Sequence, residues 1–261
     1  DLYAQLAAAR AGRKSFGALL DRYGADRIAA YAAALQDQAE TLSRKAIEAI
    51  PDGTYGFTDQ IDGLGENPAP ITLQVTLCVS GSEITADWTG TSPQVRGGIN
   101  APLSFCKSNV YAALRSIMPA DVPNCHGYTR PITVTAPAGS LVNCTYPAPC
   151  GARGITGYRV IDCIFGALAA ALPDCIPADN TGGSSLPSFG GQVDGRMFVF
   201  SECVMGVWGA TAAHDGQSGV PHMGSNQSNV PIEMIETDYP LRIDAYGFVP
   251  DTGGPGAFRG G

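Results

Sequence analysis

The feature that most constrains this chain is a change of hydrophobic period at Pro51-Asp52-Gly53. Before it, apolar residues recur at spacings of three and four. Leu2, Leu6 and Ala9 continue, past Arg13, into Phe16, Leu19 and Leu20, and Ile28, Tyr31, Leu35, Ala39, Leu42, Ala46 and Ile50 form a second stripe. One face of a helix carries that pattern. Gly24 falls between the stripes, where a C-terminal glycine ends a helix. Residues 1–52 are therefore expected to form an antiparallel helical hairpin.

After residue 53 the period shortens to two. Segments 54–61, 71–79 and 83–88 alternate apolar and polar positions, with Ser80-Gly81-Ser82 as the turn between the last two. That pattern predicts an antiparallel meander, since sequential strands usually pair. Helical spacing returns at 105–117, with Cys106, Val110, Ala113, Leu114 and Ile117 inward, and again at 157–172, where alanines and a glycine permit close packing. A short strand is expected at 132–135 and another at 197–204. Residues 173–192, rich in Gly, Pro and Ser, read as a long loop, and the remaining C-terminal chain is loop-heavy. The fold class expected is α+β: the helical hairpin, then a body over 53–261 with a largely antiparallel sheet and glycine-rich loops.

Charge and composition narrow the partners. A formal net charge of −8 lacks the basic surface that phosphate-backbone binding needs, so nucleic acid is set aside. No apolar run approaches bilayer length; the longest, 161–172, contains Asp162 and Gly166, so no membrane is expected. The N-terminus reads as an amphipathic helix and not as a secretory leader. The eight cysteines show no Cys-x-x-Cys pair and no zinc-finger spacing. They are expected to be reduced and structural in a cytoplasmic protein, with Cys78 and Cys163 as small buried hydrophobes.

Two polar clusters could carry chemistry. The first runs from His214-Asp215-Gly216-Gln217 through His222 to Asn226, Asn229, Glu233 and Glu236. It could supply a general base, a pair of metal ligands or a hydrogen-bonding cradle, but its spacing matches no metal motif and such a loop more often serves turn chemistry and surface hydrogen bonding. Pro231 and Pro240 argue against a long helix bringing Glu233 and Glu236 together. The second cluster is Asn100, Asn124, His126 and Arg130. Its arginine could clamp a carboxylate or phosphate, or pair with an acidic residue of the fold. Phosphate-loop, dinucleotide and serine-hydrolase signatures are absent from the sequence, and its three lysines sit in no phosphate-binding context.

Several segments, in order, resemble the B-type subunit of hydantoinases and the matching half of 5-oxoprolinase. They begin with Asp1-Leu2-Tyr3-Ala4-Gln5 and Ile50-Pro51-Asp52-Gly53-Thr54-Tyr55. They continue through Ala86-Asp87-Trp88-Thr89-Gly90-Thr91-Ser92-Pro93-Gln94, Gly98-Ile99-Asn100, Arg130-Pro131-Ile132 and Pro137-Ala138-Gly139-Ser140. The Asp215-Gly216 turn, Pro231-Ile232-Glu233-Met234-Ile235-Glu236, Pro240-Leu241-Arg242 and the glycine-rich 251–261 segment complete the series. Each is weak alone, and their order along the chain is specific.

The resemblance implies a B-type subunit of an ATP-dependent cyclic-amide hydrolase. It would work in a hetero-oligomer with an ATP-binding A-type partner on a small-molecule substrate. A component of an acetone- or acetophenone-type carboxylase, or a non-catalytic piece of such an assembly, is the alternative. It further implies a divalent metal, Zn or Mn, held by aspartates and histidines that precede the opening motif in the family. No metal ligand is therefore expected within these residues, which look like a middle piece of a family member. Within this reading the 214–236 segment walls the site: Asp215 and Glu233 are the catalytic candidates, and Asn100, Arg130, His214, Asn226 and Asn229 the substrate-binding candidates.

Overall fold

A computed structural model describes residues 2–183 and 185–261; Asp1 of the opening motif and Ser184 of the expected 173–192 loop lie outside the described residues. Helices α1 (Leu2–Tyr23) and α2 (Ala25–Ile47) meet at Gly24. Gly24 has φ 81, a conformation that costs glycine little and other residues more. The expected packing of the two helices along their length does not form. Leu2, Leu6, Phe16 and Leu19 are exposed, and α1 buries no residue. Gly17 and Leu20, next to the junction, are its half-buried positions. An apolar stripe signals a face that can be buried; it does not specify what covers it.

The far end of α2 is anchored differently. Ala39, Ser43 and Ile47 are buried, and the helix rests on a 3₁₀ turn, His126–Thr129. Ser43 Oγ donates to the Tyr128 carbonyl at 2.8 Å, and Gly127 N–H donates to Gln36 Oε1. A Cβ at Gly127 would lie 2.0 Å from the Gln36 carbonyl oxygen, so the seat admits no side chain there. Arg130 ties the same turn to α2 through Asp37 at 2.8 Å and Glu40 at 3.0 Å.

The main sheet has the order β1-β2-β3-β4. Its strands are β1 (Gly53–Ile61), β2 (Ile71–Ser80), β3 (Glu83–Asp87) and β4 (Ile132–Thr135). The first three form the expected antiparallel meander, and β4 adds in parallel to β3. A parallel neighbour requires a crossover, which α3 (Leu103–Ile117) supplies. In β2 the residues Ile71, Leu73, Val75, Leu77 and Val79 are buried. Period two puts Cys78 on the opposite face, so it is exposed and not the core residue expected; Cys163 is buried as expected. Helix α4 (Arg153–Leu168) covers β1 and β2 beside α3. Its Gly157 and Gly166 meet the rings of Phe105 and Phe57, where a Cβ would come within 2.8 and 2.6 Å. One hydrophobic cluster unites this sheet, α3, α4, the end of α2 at Ile47, and Ile50 just beyond it.

From α4 onward the chain departs from expectation in three places. Residues 188–193 are not loop: β5 (Ser188–Val193) pairs with β6 (Arg196–Ser201) across Asp194 and Gly195, both at positive φ, as a tight hairpin requires. Helix α4 also begins and ends about a turn earlier than 157–172. A short pair, β7 (Gly206–Val207) and β8 (Ser218–Val220), precedes α5 (Ile232–Asp238). Pro231 sits just before α5, where its missing N–H costs nothing, so both Glu233 and Glu236 lie on one short helix. Among the described residues no helix is long and apolar enough to cross a membrane.

Candidate functional site

A cavity of about 390 Å³ opens where the end of α3, the α4 face and the loops around 175–180 and 208–217 converge. Ile117, Phe165, Pro177, Trp208 and Met223 give it apolar walls, and Asn180, Thr211, His214, Asp215 and Gln217 bring polar groups to its rim. The rim is built by backbone pairing. Trp208 N–H donates to the Gln217 carbonyl at 2.8 Å, and Gly261 N–H to the Trp208 carbonyl at 3.1 Å. A Cβ at Gly216 would lie 2.2 Å from the Trp208 oxygen, so the close approach requires glycine. Asp215 Oδ1 accepts the Arg259 N–H at 2.7 Å and fastens the glycine-rich C-terminal segment to this turn.

The hydrogen bonds define the protonation geometry. His214 Nδ1 lies 3.0 Å from the Asp215 carbonyl oxygen, which can only accept. The proton of the neutral ring therefore sits on Nδ1, and the Nε2 lone pair is left to accept. Asn180 Oδ1 is buried and has no hydrogen-bond partner within the protein. An orphaned acceptor at a cavity wall is the kind of group a ligand N–H satisfies.

A second, charged chamber of about 260 Å³ adjoins the first and shares Phe165, Pro177 and Asn180 with it. Gly224 N–H donates to His222 Nδ1 at 2.9 Å, which makes Nε2 the protonated nitrogen, 3.1 Å from Asp162 Oδ1. The other Asp162 oxygen pairs with Arg159, which also reaches Asp59 at 2.8 Å and Asp179 at 3.8 Å. Three carboxylates thus surround one guanidinium. Burial, and then the negative charge of Asp162, pushes the Asp179 carboxyl above its ordinary range.

The candidates read from the sequence separate. His214 and Asp215 meet at the large cavity. Asn100 is spent within the fold: its Oδ1 accepts the Val95 N–H at 2.8 Å and its Nδ2 reaches the Val95, Gly97 and Pro149 carbonyls. Arg130 is the docking pin of α2, and Asn124 accepts from Arg115 at 2.8 Å. Asn229 accepts the Met205 N–H at 3.3 Å and donates to the Tyr246 hydroxyl, while Asn226 is exposed. Glu233 is exposed on α5 and does not line the cavity.

The sequence reading missed Asn180, Trp208 and the Arg159–Asp162 pair. The pair had a signal, an arginine and an aspartate three apart within an otherwise apolar helix. Among the described residues no three His, Cys, Asp or Glu side chains are arranged to hold a metal ion. The donor set here does not fit a metal centre.

A family model described as Hydantoinase B/oxoprolinase matches residues 1–261. The B-type subunit of a putative D-/L-hydantoinase of Pseudomonas sp. (strain NS671) is 36% identical over 272 aligned residues, covering 100% of this chain and 46% of that protein. The beta chain of the caprolactamase of Pseudomonas jessenii is 31% identical, again over 100% of this chain and 46% of the relative. The crystal structure of the ATP-dependent caprolactamase from Pseudomonas jessenii superimposes with a TM-score of 0.91 at 28% identity, over 100% of this chain and 46% of that one. A nucleotide-free acetone carboxylase shares the fold, with a TM-score of 0.82 at 15% identity over 95% of this chain and 36% of that one. The chain spans less than half the length of these relatives. With a family model matched from end to end, the chain belongs to the hydantoinase B/oxoprolinase family.

Proposed function

We propose that this chain is the cavity-bearing part of a B-type subunit that hydrolyses a cyclic amide, in a cytoplasmic hetero-oligomer with an ATP-binding A-type partner. The family match over all 261 residues carries the reading. A divalent metal, Zn or Mn, would be held by aspartates and histidines outside this cavity.

The cavity supports the substrate class. A lactam is a ring of methylenes with one N–H and one C=O on an edge. The methylenes suit the Ile117, Phe165, Pro177 and Met223 walls, and the N–H suits an acceptor at Asn180 Oδ1 or His214 Nε2. An amide resists attack because resonance removes electrophilicity from its carbonyl. Phosphorylating the oxygen, with ATP bound on the partner, and losing the N–H proton give an imidate carbon that water attacks; the C–N bond then breaks as nitrogen takes a proton, and water displaces phosphate from the acyl phosphate that remains. In this chain His214 and Asn180 hold the nitrogen edge, and His214 Nε2 can take the N–H proton on phosphorylation and return it to nitrogen as the C–N bond breaks.

The test is ADP release by the full-length protein reconstituted with its A-type partner, with hydantoin, 5-oxoproline, caprolactam or acetone plus bicarbonate supplied in turn. ATP use coupled to ring opening is expected. ATP use that requires bicarbonate and a ketone would replace the hydrolase reading with the carboxylase one.

A further inference from the structure

Cys144 and Cys150 enclose the segment Thr145-Tyr146-Pro147-Ala148-Pro149, and their sulfurs lie 3.6 Å apart. Each end of the segment is held by the surrounding fold. Cys144 N–H donates to the Ala101 carbonyl at 3.1 Å, and Arg153 N–H donates to the Cys150 carbonyl at 3.2 Å. The Pro149 carbonyl accepts from Asn100 at 2.9 Å, and Gln94 Oε1 accepts the Thr145 N–H at 2.7 Å. The sulfurs therefore meet because the fold brings them together, and two prolines stiffen the short connection between them.

Both cysteines are half-buried, and Tyr146 at the loop tip is 98% exposed, so a small reagent can reach the pair. The core thiols contrast with this. Cys106 and Cys163 are fully buried, so a reagent in solvent reaches neither sulfur. Among the described residues, Cys144 and Cys150 are the one pair of cysteines in sulfur contact.

We propose that Cys144 and Cys150 are a reversible dithiol–disulfide site, oxidised by hydroperoxides and restored by thiol reductants. One thiolate attacks the peroxide O–O bond, taking one oxygen as a sulfenic acid and releasing the other as water or alcohol. The second sulfur displaces the sulfenic hydroxyl, which leaves with a proton as water, and the S–S bond forms. Two thiol hydrogens are lost and the peroxide is reduced by two electrons. The disulfide closes the loop against Asn100 and the start of α4.

The experiment treats the full-length protein with one molar equivalent of hydrogen peroxide, then alkylates and maps the peptides. The peptide carrying Cys144 and Cys150 is expected about 2 Da lighter, unalkylated, and returned to two alkylated thiols by dithiothreitol. Its rate of formation should still be rising above pH 9.0, the ordinary thiol value, if Cys144 is the attacking thiol, because burial and the neighbouring sulfur raise its pKa. C144S and C150S, each checked for native circular dichroism, should instead leave a single oxidised or alkylated cysteine. Two alkylatable thiols after oxidation, or separate sulfinic acids in the wild-type protein, would overturn the proposal.

Discussion

Asp162 serves two partners at once: it accepts from His222 Nε2 at 3.1 Å and pairs with Arg159. Its side chain is 5% exposed and that of His222 is 1% exposed, so water cannot substitute for either. Asp162→Ala leaves the imidazole N–H unpaired and Arg159 dependent on Asp59 and Asp179. Removing one member of a buried pair costs about 3 kcal/mol, and urea denaturation should show a loss of that order. A loss below about 0.5 kcal/mol, the level of an ordinary surface substitution, would mean the network contributes nothing to the fold. At the larger cavity the effect should appear in kinetics. His214→Phe keeps ring volume but removes the accepting nitrogen, so kcat/KM for the amide should fall by roughly tenfold or more, about 1.4 kcal/mol. The far-ultraviolet circular dichroism should be unchanged because His214 is exposed. Unaltered kinetics would remove His214 from the substrate edge.

At the scale of elements, α2 is held at one end. Arg130 and Arg44 both pair with Glu40, and those hydrogen bonds lower the Glu40 carboxyl below its ordinary value of 4.5. A group whose folded pKa is depressed stabilises the fold fully above its unfolded value and loses that contribution as pH falls through the folded value. The stability difference between wild type and E40Q should therefore be constant above about pH 5.5 and shrink below about pH 4.5, and salt should reduce it. A difference independent of pH would exclude the ion pairs as its source. Gly127→Val tests the other half of the seat: its side chain would strike the Gln36 backbone, so α2 should detach, seen as lost helical ellipticity or new protease sites within 25–47.

Period decided which elements were legible in the sequence. The helices α1 and α2, the β1–β3 meander and α3 follow from spacings of three-and-four or two, each internal to its own segment. The parallel docking of β4 is set by α3 crossing the sheet, which no local pattern records. β5 was hidden because Gly190 and Gly191 dilute its strand signal, while the Asp194-Gly195 turn that pairs it with β6 was the clue. The site divides in the same way. His214 and Asp215 were found because polar residues crowd one loop. Asn180, Trp208 and the Asp59–Arg159 contact arise only when distant segments converge.

For the whole molecule, stability is unevenly distributed. The sheet, α3, α4 and the tail of α2 share one cluster that includes Leu73, Val75, Leu77, Trp88, Ile161 and Leu168, all fully buried. Helix α1 contributes no buried side chain to it, so it lacks the tertiary packing that supplies most of a helix's stability. Two regimes of hydrogen exchange should follow in the 261-residue chain. Amides of β2 and α4 can open only with the shared core and should exchange at the global unfolding limit, the slowest in the molecule. Amides of α1 can open one helix at a time and should exchange orders of magnitude faster, with the β5–β6 hairpin between the two. If α1 proved as protected as α4, its exposed Leu2, Leu6, Phe16 and Leu19 would have to be covered in solution, and dilution would then separate a self-associated chain from a monomer that buries the helix differently.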